Sequence, residues 1–160
     1  MNIAYLLIGG NMGDRLQYLQ RAVAAIEKHC GSVTKTSSVY ETAAWGKEDQ
    51  QSFLNQALEL HTALPAHELL DSLLSIEEKI GRIREVKYGP RIIDIDILLF
   101  NDEVIDTRHL IIPHPELPNR RFALQPLADI AGQKKHPISG KTISELLVEC
   151  KDLLSVDKFH

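Results

Sequence analysis

The sequence predicts an α+β fold: a ferredoxin-like split β-α-β sheet with packed helices and a C-terminal extension. Three observations predict it. Two apolar stripes at helical spacing, over 16–26 and 69–80, each end close to a glycine. Two stretches, 53–61 and 92–100, alternate with period two, as half-buried strands do. With the strand-like runs at the start and at 32–42, the order reads β, α, β, β, α, β. In that plan helices pack on one face of the sheet and the other face is left for a site.

Met1 to Ile8 reads as a first strand, ending in the turn chemistry of Gly9-Gly10-Asn11-Met12-Gly13-Asp14. Leu16, Leu19, Val23 and Ile26 then mark a helix up to His29-Cys30-Gly31. Residues 32–42, rich in Ser, Thr and Val, suit one strand, which a long loop joins in a hairpin to the stretch 53–61. There Leu54, Leu58 and Leu60 share one face, with Phe53, Asn55, Ala57 and Glu59 on the other. Pro65 suits a first helical position, and Leu69, Leu70, Leu73, Ile76 and Ile80 form the second helical stripe. From Ile92, alternation puts Ile93, Ile95, Ile97 and Leu99 on one face and Asp94 and Asp96 on the other. A short strand over 104–106, an extended loop enforced by Pro113, Pro115 and Pro118, a helix near 122–130 and a last helix after Thr142 complete the chain.

Composition narrows the function. At 160 residues, 44% hydrophobic and 25% charged, the chain is expected to be one domain over 1–160 with a core that needs no disulfide frame. Cys30 and Cys150 have no Cys-x-x-Cys pattern and read as inert thiols of a cytoplasmic protein. The apolar run at the start is too short for a leader core or a membrane span. A net charge of −4 disfavours nucleic acid as a partner, although residues 82–91 carry a local net of +3. Two phosphate motifs fail on spacing. Gly140-Lys141-Thr142 has Lys135 where a P-loop glycine belongs, and the Gly9–Gly13 run does not fit the dinucleotide fingerprint. No His-x-x-x-His or Glu-x-x-His pair points to zinc.

The informative stretch is Gly89-Pro90-Arg91-Ile92-Ile93-Asp94-Ile95-Asp96. Carboxylates at i and i+2 of a strand lie about 7 Å apart on one face, where they repel unless solvated or gathered around a hard cation. The adjoining arginines are of the type that grips phosphate oxygens. Farther on, prolines flank His114, and Arg120-Arg121 opens a helix against its macrodipole, an arrangement that calls for an anion.

Gly89-Pro90-Arg91, Asp94 and Asp96, Pro113-His114 and Asn119-Arg120 with Phe122 together resemble the 6-hydroxymethyl-7,8-dihydropterin pyrophosphokinase family of folate biosynthesis. The resemblance runs from the opening strand to about Ile130 and is weak in the last ~25 residues. It implies transfer of pyrophosphate from ATP to the reduced pterin alcohol with release of AMP. Asp94 and Asp96 would bind two Mg²⁺ ions, with Asp96 also near the attacking hydroxyl. Arg82 and Arg91 match catalytic arginines that close over the triphosphate on a mobile loop. ATP would contact Glu77, Arg84, Tyr88, Ile97, His114 and Arg120. The pterin would contact Thr42, Ala43, Trp45, Asn55 and the sandwiching Phe53 and Phe122. A monomer with ATP and pterin as its partners, and no nucleic acid or membrane, is the corresponding expectation.

The sequence departs from the family pattern at Tyr88, Pro115, Leu74, His109 and Ala43-Ala44. Two other classes share such a scaffold. Palm-type nucleotidyl transferases would release pyrophosphate, and a metabolite-binding regulatory domain would show no turnover.

Overall fold

The computed structural model describes residues 1–43, 51–81 and 92–160. The strand β1 (Asn2–Gly10) leads into α1 (Arg15–His29), whose N-cap Asp14 accepts from the Gln17 N–H. Two strands follow, β2 (Ser32–Thr36) and β3 (Tyr40–Thr42), then β4 (Phe53–Thr62) and α2 (Ala66–Ile80). After β5 (Asp94–Phe100), β6 (Ile105–Asp106) pairs with β7 (Ile111–Ile112) in a small ribbon. A 3₁₀ turn (Leu117–Asn119), α3 (Arg121–Ala131), α4 (Ile143–Glu149) and β8 (Asp157–Lys158) end the chain.

The main sheet has the order β5-β1-β4-β3-β8, with β2 also paired to β4, and every named pairing is antiparallel. The predicted β-α-β-β-α-β order is there, but its second strand is two. At Ser37 the N–H donates to the Ala57 carbonyl and the hydroxyl accepts from the Ala57 N–H, so a side chain replaces a ladder bond and the strand breaks. Pro65 is the N-cap of α2 rather than its first residue; its carbonyl accepts from Leu69.

The expectation of helices on one face only is corrected. α1 and α2 cover one face, packing on Ala4, Leu6, Ile8, Leu54, Leu58 and Leu60. α3 and α4 cover part of the other, packing on Tyr5, Leu7, Ala57, Leu98 and Leu99. The apolar stripes of α3 and α4 need a sheet face to cover, and the opposite parity of β1 and β4 supplies it. Tyr40 ties the layers: its hydroxyl donates to the Asp129 carboxylate of α3, and burial together with that carboxylate raises it to about 12.

A second correction concerns Leu99, expected beside Ile97. β1 pairs Leu6 with Ile97 and Tyr5 with Leu99, leaving Leu98 as the extra residue of a β-bulge. Ile95, Ile97 and Phe100 face α1 and α2, while Leu98 and Leu99 both face α3. The carbonyl of Leu98 accepts from the His114 N–H at 3.0 Å, which fixes the proline-flanked loop beside β5.

Candidate active site

The floor is a row of residues in register. Asp94 of β5 lies opposite Gly9 of β1, which lies opposite Asn55 of β4, itself opposite Tyr40 of β3. One rung inward Asp96 faces Leu7, and one rung outward Phe53 faces Thr42. Alternation turns both aspartates, Gly9, Asn55 and Phe53 to the α3 side. Here α3 and α4 stop covering the sheet, leaving a cavity of about 510 Å³. Its floor is Leu7, Gly9, Asn55, Asp94 and Asp96, and its rim is Thr42, Ala43 and Phe53. Asn119, Arg120 and Phe122 wall it from the start of α3, and Asp152 and Leu154 from the C-terminal tail.

Gly9 is required by close approach. A Cβ there would stand 2.1 Å from Asn55 Oδ1 and 2.8 Å from the Leu54 carbonyl oxygen, so only glycine lets the Asn55 amide lie across β1. The Thr42 hydroxyl, buried at the rim, has no hydrogen-bond partner among the described residues. Such an orphan costs about 1–3 kcal/mol unless a ligand pairs with it. The Arg120 guanidinium sits 5.6 Å from the centroid of the Phe122 ring.

A second cavity, of about 280 Å³, opens along the outer side of β5. Ile95, Asp96 and Ile97 line it with Leu70 of α2, residues 108–111, His114 and Pro115. Asp96 therefore lines both cavities. Burial lowers the pKa of His114; the nearby Asp96 charge opposes that shift, Arg120 adds to it and Glu116 opposes it. The shift favours the neutral imidazole, whose Nδ1 accepts from the Glu116 N–H. At the same edge the Ile95 N–H, between the two aspartates, donates to Glu77 Oε2 at 2.6 Å.

The structure brings Thr42, Ala43, Phe53, Asn55, Asp94, Asp96, Arg120 and Phe122 around the larger cavity, and Ile97 and His114 beside Asp96 in the smaller. Glu77 lines neither, its carboxylate instead holding the aspartate strand. Trp45, Arg82, Arg84, Tyr88 and Arg91 lie outside the described residues. His109 and Pro115 both line the smaller cavity, whereas Leu74 is half exposed on α2.

Sequence reasoning missed Asp152, Leu154 and Arg108, quoted Asn119 only as part of the family motif, and read Gly9 only as a turn. One signal was present: Arg120-Arg121 called for an anion, and Asp152 answers for Arg121, accepting its N–H at 3.1 Å. Leu154 gave no signal of its own. Gly140-Lys141-Thr142 is a turn with Gly140 at φ 74°, followed by a capping box of Thr142 and Glu145 on α4.

The donor set fits Mg²⁺. Among the described residues no cluster of three or more His, Cys, Asp or Glu is placed to hold a metal, so the aspartates stand as a pair. A pair facing a roomy cavity suits an ion that takes one or two carboxylates and completes its shell with water and phosphate.

Comparison with known proteins gives the site its context. The family model for 7,8-dihydro-6-hydroxymethylpterin-pyrophosphokinase (HPPK) matches residues 5–132. A 2-amino-4-hydroxy-6-hydroxymethyldihydropteridine pyrophosphokinase of Bacillus subtilis is 49% identical over 160 residues, covering 99% of this chain and 96% of its relative. The protein of the same name from Aquifex aeolicus is 44% identical over 149 residues, covering 93% of this chain and 92% of its own. Among solved structures, wild-type HPPK-DHPS of Plasmodium falciparum matches 92% of this chain with a TM-score of 0.76 at 21% identity. This chain spans 44% of that longer one, and the likeness speaks for the fold. The chain belongs to the 7,8-dihydro-6-hydroxymethylpterin-pyrophosphokinase family, and it is an ATP-dependent pyrophosphokinase of folate biosynthesis that acts on the reduced pterin alcohol.

Proposed function

We propose that the two cavities are the two substrate sites of this reaction, the larger for the pterin and the smaller for the nucleotide, with Asp94 and Asp96 holding two Mg²⁺ ions between them. The observation that carries this reading is Asp96, which lines both cavities. A group moved between two substrates must cross where their sites meet.

On the pterin side, Phe53 and Phe122 offer aromatic faces, the Asn55 amide both donates and accepts, and the Thr42 hydroxyl takes the partner it lacks. Ala43 and Trp45 complete that edge. On the nucleotide side Ile97, Arg84, Tyr88 and His114 contact ATP, while Glu77 acts through the aspartate strand it holds. Arg82, Arg91 and Arg120 steady the charge that builds on the phosphoryl oxygens as the pterin hydroxyl attacks the β-phosphorus and AMP departs. Bound Mg²⁺ neutralises phosphate charge. The aspartates fix where that charge is met. Residues 1–160 act as one domain, as a monomer in the cytoplasm, with no nucleic acid or membrane partner. No helix among the described residues is long and apolar enough to cross a membrane.

The test is steady-state kinetics with Mg²⁺, ATP and the pterin alcohol, with AMP as the product followed. Asn55→Ala is expected to raise the pterin KM about tenfold or more and leave the ATP KM within about twofold. The reverse pattern would exchange the two cavities.

A further inference from the structure

The tail after α4 lines the larger cavity with Asp152 and Leu154. At one end it is bound to the start of α3. The Arg121 N–H donates to Asp152 Oδ2 at 3.1 Å, its Nε to the Asp152 carbonyl at 3.1 Å and its Nη2 to the Cys150 carbonyl at 2.9 Å. α3 has no side-chain cap from Arg120 and no acidic residue in its first turn. The Asp152 carboxylate, 31 residues away in sequence, takes the place of a local cap at the positive end of the helix. Its other oxygen accepts from the Leu154 N–H at 3.0 Å, folding the tail so that Leu154 also lines the cavity.

At the other end β8 pairs with β3, matching Tyr40 with Lys158 and Glu41 with Asp157. The Phe159 N–H donates to the Val39 carbonyl at 2.9 Å, and the ring packs against the core and under Arg15, whose guanidinium lies 5.5 Å from its centroid. The strand so held runs directly into Thr42 and Ala43. Thus the tail joins the two opposed walls of the cavity: the β3 end, with Thr42 beside Phe53, and the start of α3, with Arg120 and Phe122.

We infer that residues 150–160 set the width of the slot in which the flat ring is held, and that Asp152 is a positioning residue for Phe122 through Arg121. Because Arg121 is turned to the tail, its two neighbours in sequence are aimed at the cavity. This inference rests on the larger cavity being the pterin site. Asp152 itself forms its bonds to protein groups, so its effect on substrate passes through the wall it fixes.

The experiment compares Asp152→Ala, Asp152→Asn and Leu154→Ala in the full chain, reading KM for each substrate, kcat, and pterin affinity with a non-hydrolysable ATP analogue bound. Asp152→Ala is expected to raise the pterin KM and weaken pterin binding about tenfold, as loss of a helix cap would, with the ATP KM within about twofold. Asp152→Asn should recover most of that loss, since an amide oxygen still accepts the Arg121 N–H. Leu154→Ala should weaken pterin binding by a smaller factor in the same direction, and it decides the matter if Asp152→Ala does not fold. Unchanged pterin KM in folded Asp152→Ala overturns the inference, as does an equal loss for both substrates together with a lowered thermal midpoint, the pattern of a merely structural contact. Asn55→Ala separates the two levels. If it too leaves the pterin KM unchanged, the cavity assignment has failed and the inference falls with it; if it raises the pterin KM while Asp152→Ala does not, only the role of the tail is lost.

Discussion

On the side of α1 and α2, β1 presents Ala4, Leu6 and Ile8, β4 presents Leu54, Leu58 and Leu60, and β5 presents Ile95, Ile97 and Phe100, none more than 6% exposed. The same strands show the opposite face a graded series instead. β1 runs from Tyr5 and Leu7 to Gly9, β4 from Ala57 to Asn55 and Phe53, and β5 from Leu99 and Leu98 to Asp96 and Asp94. One face is apolar but for Gln56, whereas the other is apolar in its middle, polar at the cavity, and carries Glu59 and His61 beyond Ala57. Alternation lets a single set of strands carry both, so the site costs the main core nothing.

Changing the carboxylates should break this comparison most sharply. Asp94→Asn or Asp96→Asn is expected to lower AMP release by roughly a thousandfold or more, because phosphate charge is then poorly met. For Asp96→Asn the thermal midpoint measured without Mg²⁺ should hold or rise as like charges are relieved. A large loss of stability with little loss of turnover would make the pair structural.

The converse change lies on the apolar face. Leu58 is fully buried, and Leu58→Ala should cost about 2–5 kcal/mol of stability through lost burial and an unfilled cavity. Chemical denaturation measures it. Turnover per folded molecule should stay within about twofold, since the changed side chain faces away from the cavity. A specific loss of turnover would mean that the faces are coupled.

The smallest expected effect is one of pH, in the turn joining α3 to α4. Buried His136 has its pKa lowered from the ordinary 6.5 by desolvation, and its Nδ1 accepts from the Ile138 and Ser139 N–H groups. The unfolded chain therefore takes up this proton first. Above 6.5 the group leaves stability unaffected; as pH falls through that value the fold should lose stability, until the folded-state pKa is passed. Thermal midpoints at pH 7.5 and 5.5 should differ less in His136→Asn than in the parent chain; an equal difference would remove His136 from the account.

What was legible in the sequence was what short-range order encodes. The alternation of Asp94 and Asp96 against Ile95 and Ile97, the helix starts after Asp14 and Thr142, and the stripes of α1 and α2 depend on residues a few places apart. The break at Ser37 depends on Ala57, the cover on the second face on where α3 and α4 return, and the Asp152 cap on a residue far upstream. Each needs a partner distant in the chain, which periodicity cannot name. Residue types came closer: Arg120-Arg121 announced a missing anion without saying that the chain supplies one of its own.

The bulge at Leu98 makes β5 two segments in opposite phase, spliced at one residue. Upstream of the splice, even-numbered positions point toward the cavity; downstream, Phe100 points away from it. A one-residue deletion there is unlike a deletion in any surface loop. Without Leu98, Asp96, Ile97, Leu99 and Phe100 would alternate plainly and keep their faces, but a buried side chain would be lost from the packing against α3. The deletion would also withdraw the carbonyl that anchors His114. The extra leucine thus serves placement rather than phase: its side chain thickens the cover under α3, and its carbonyl sets His114 beside the aspartate strand.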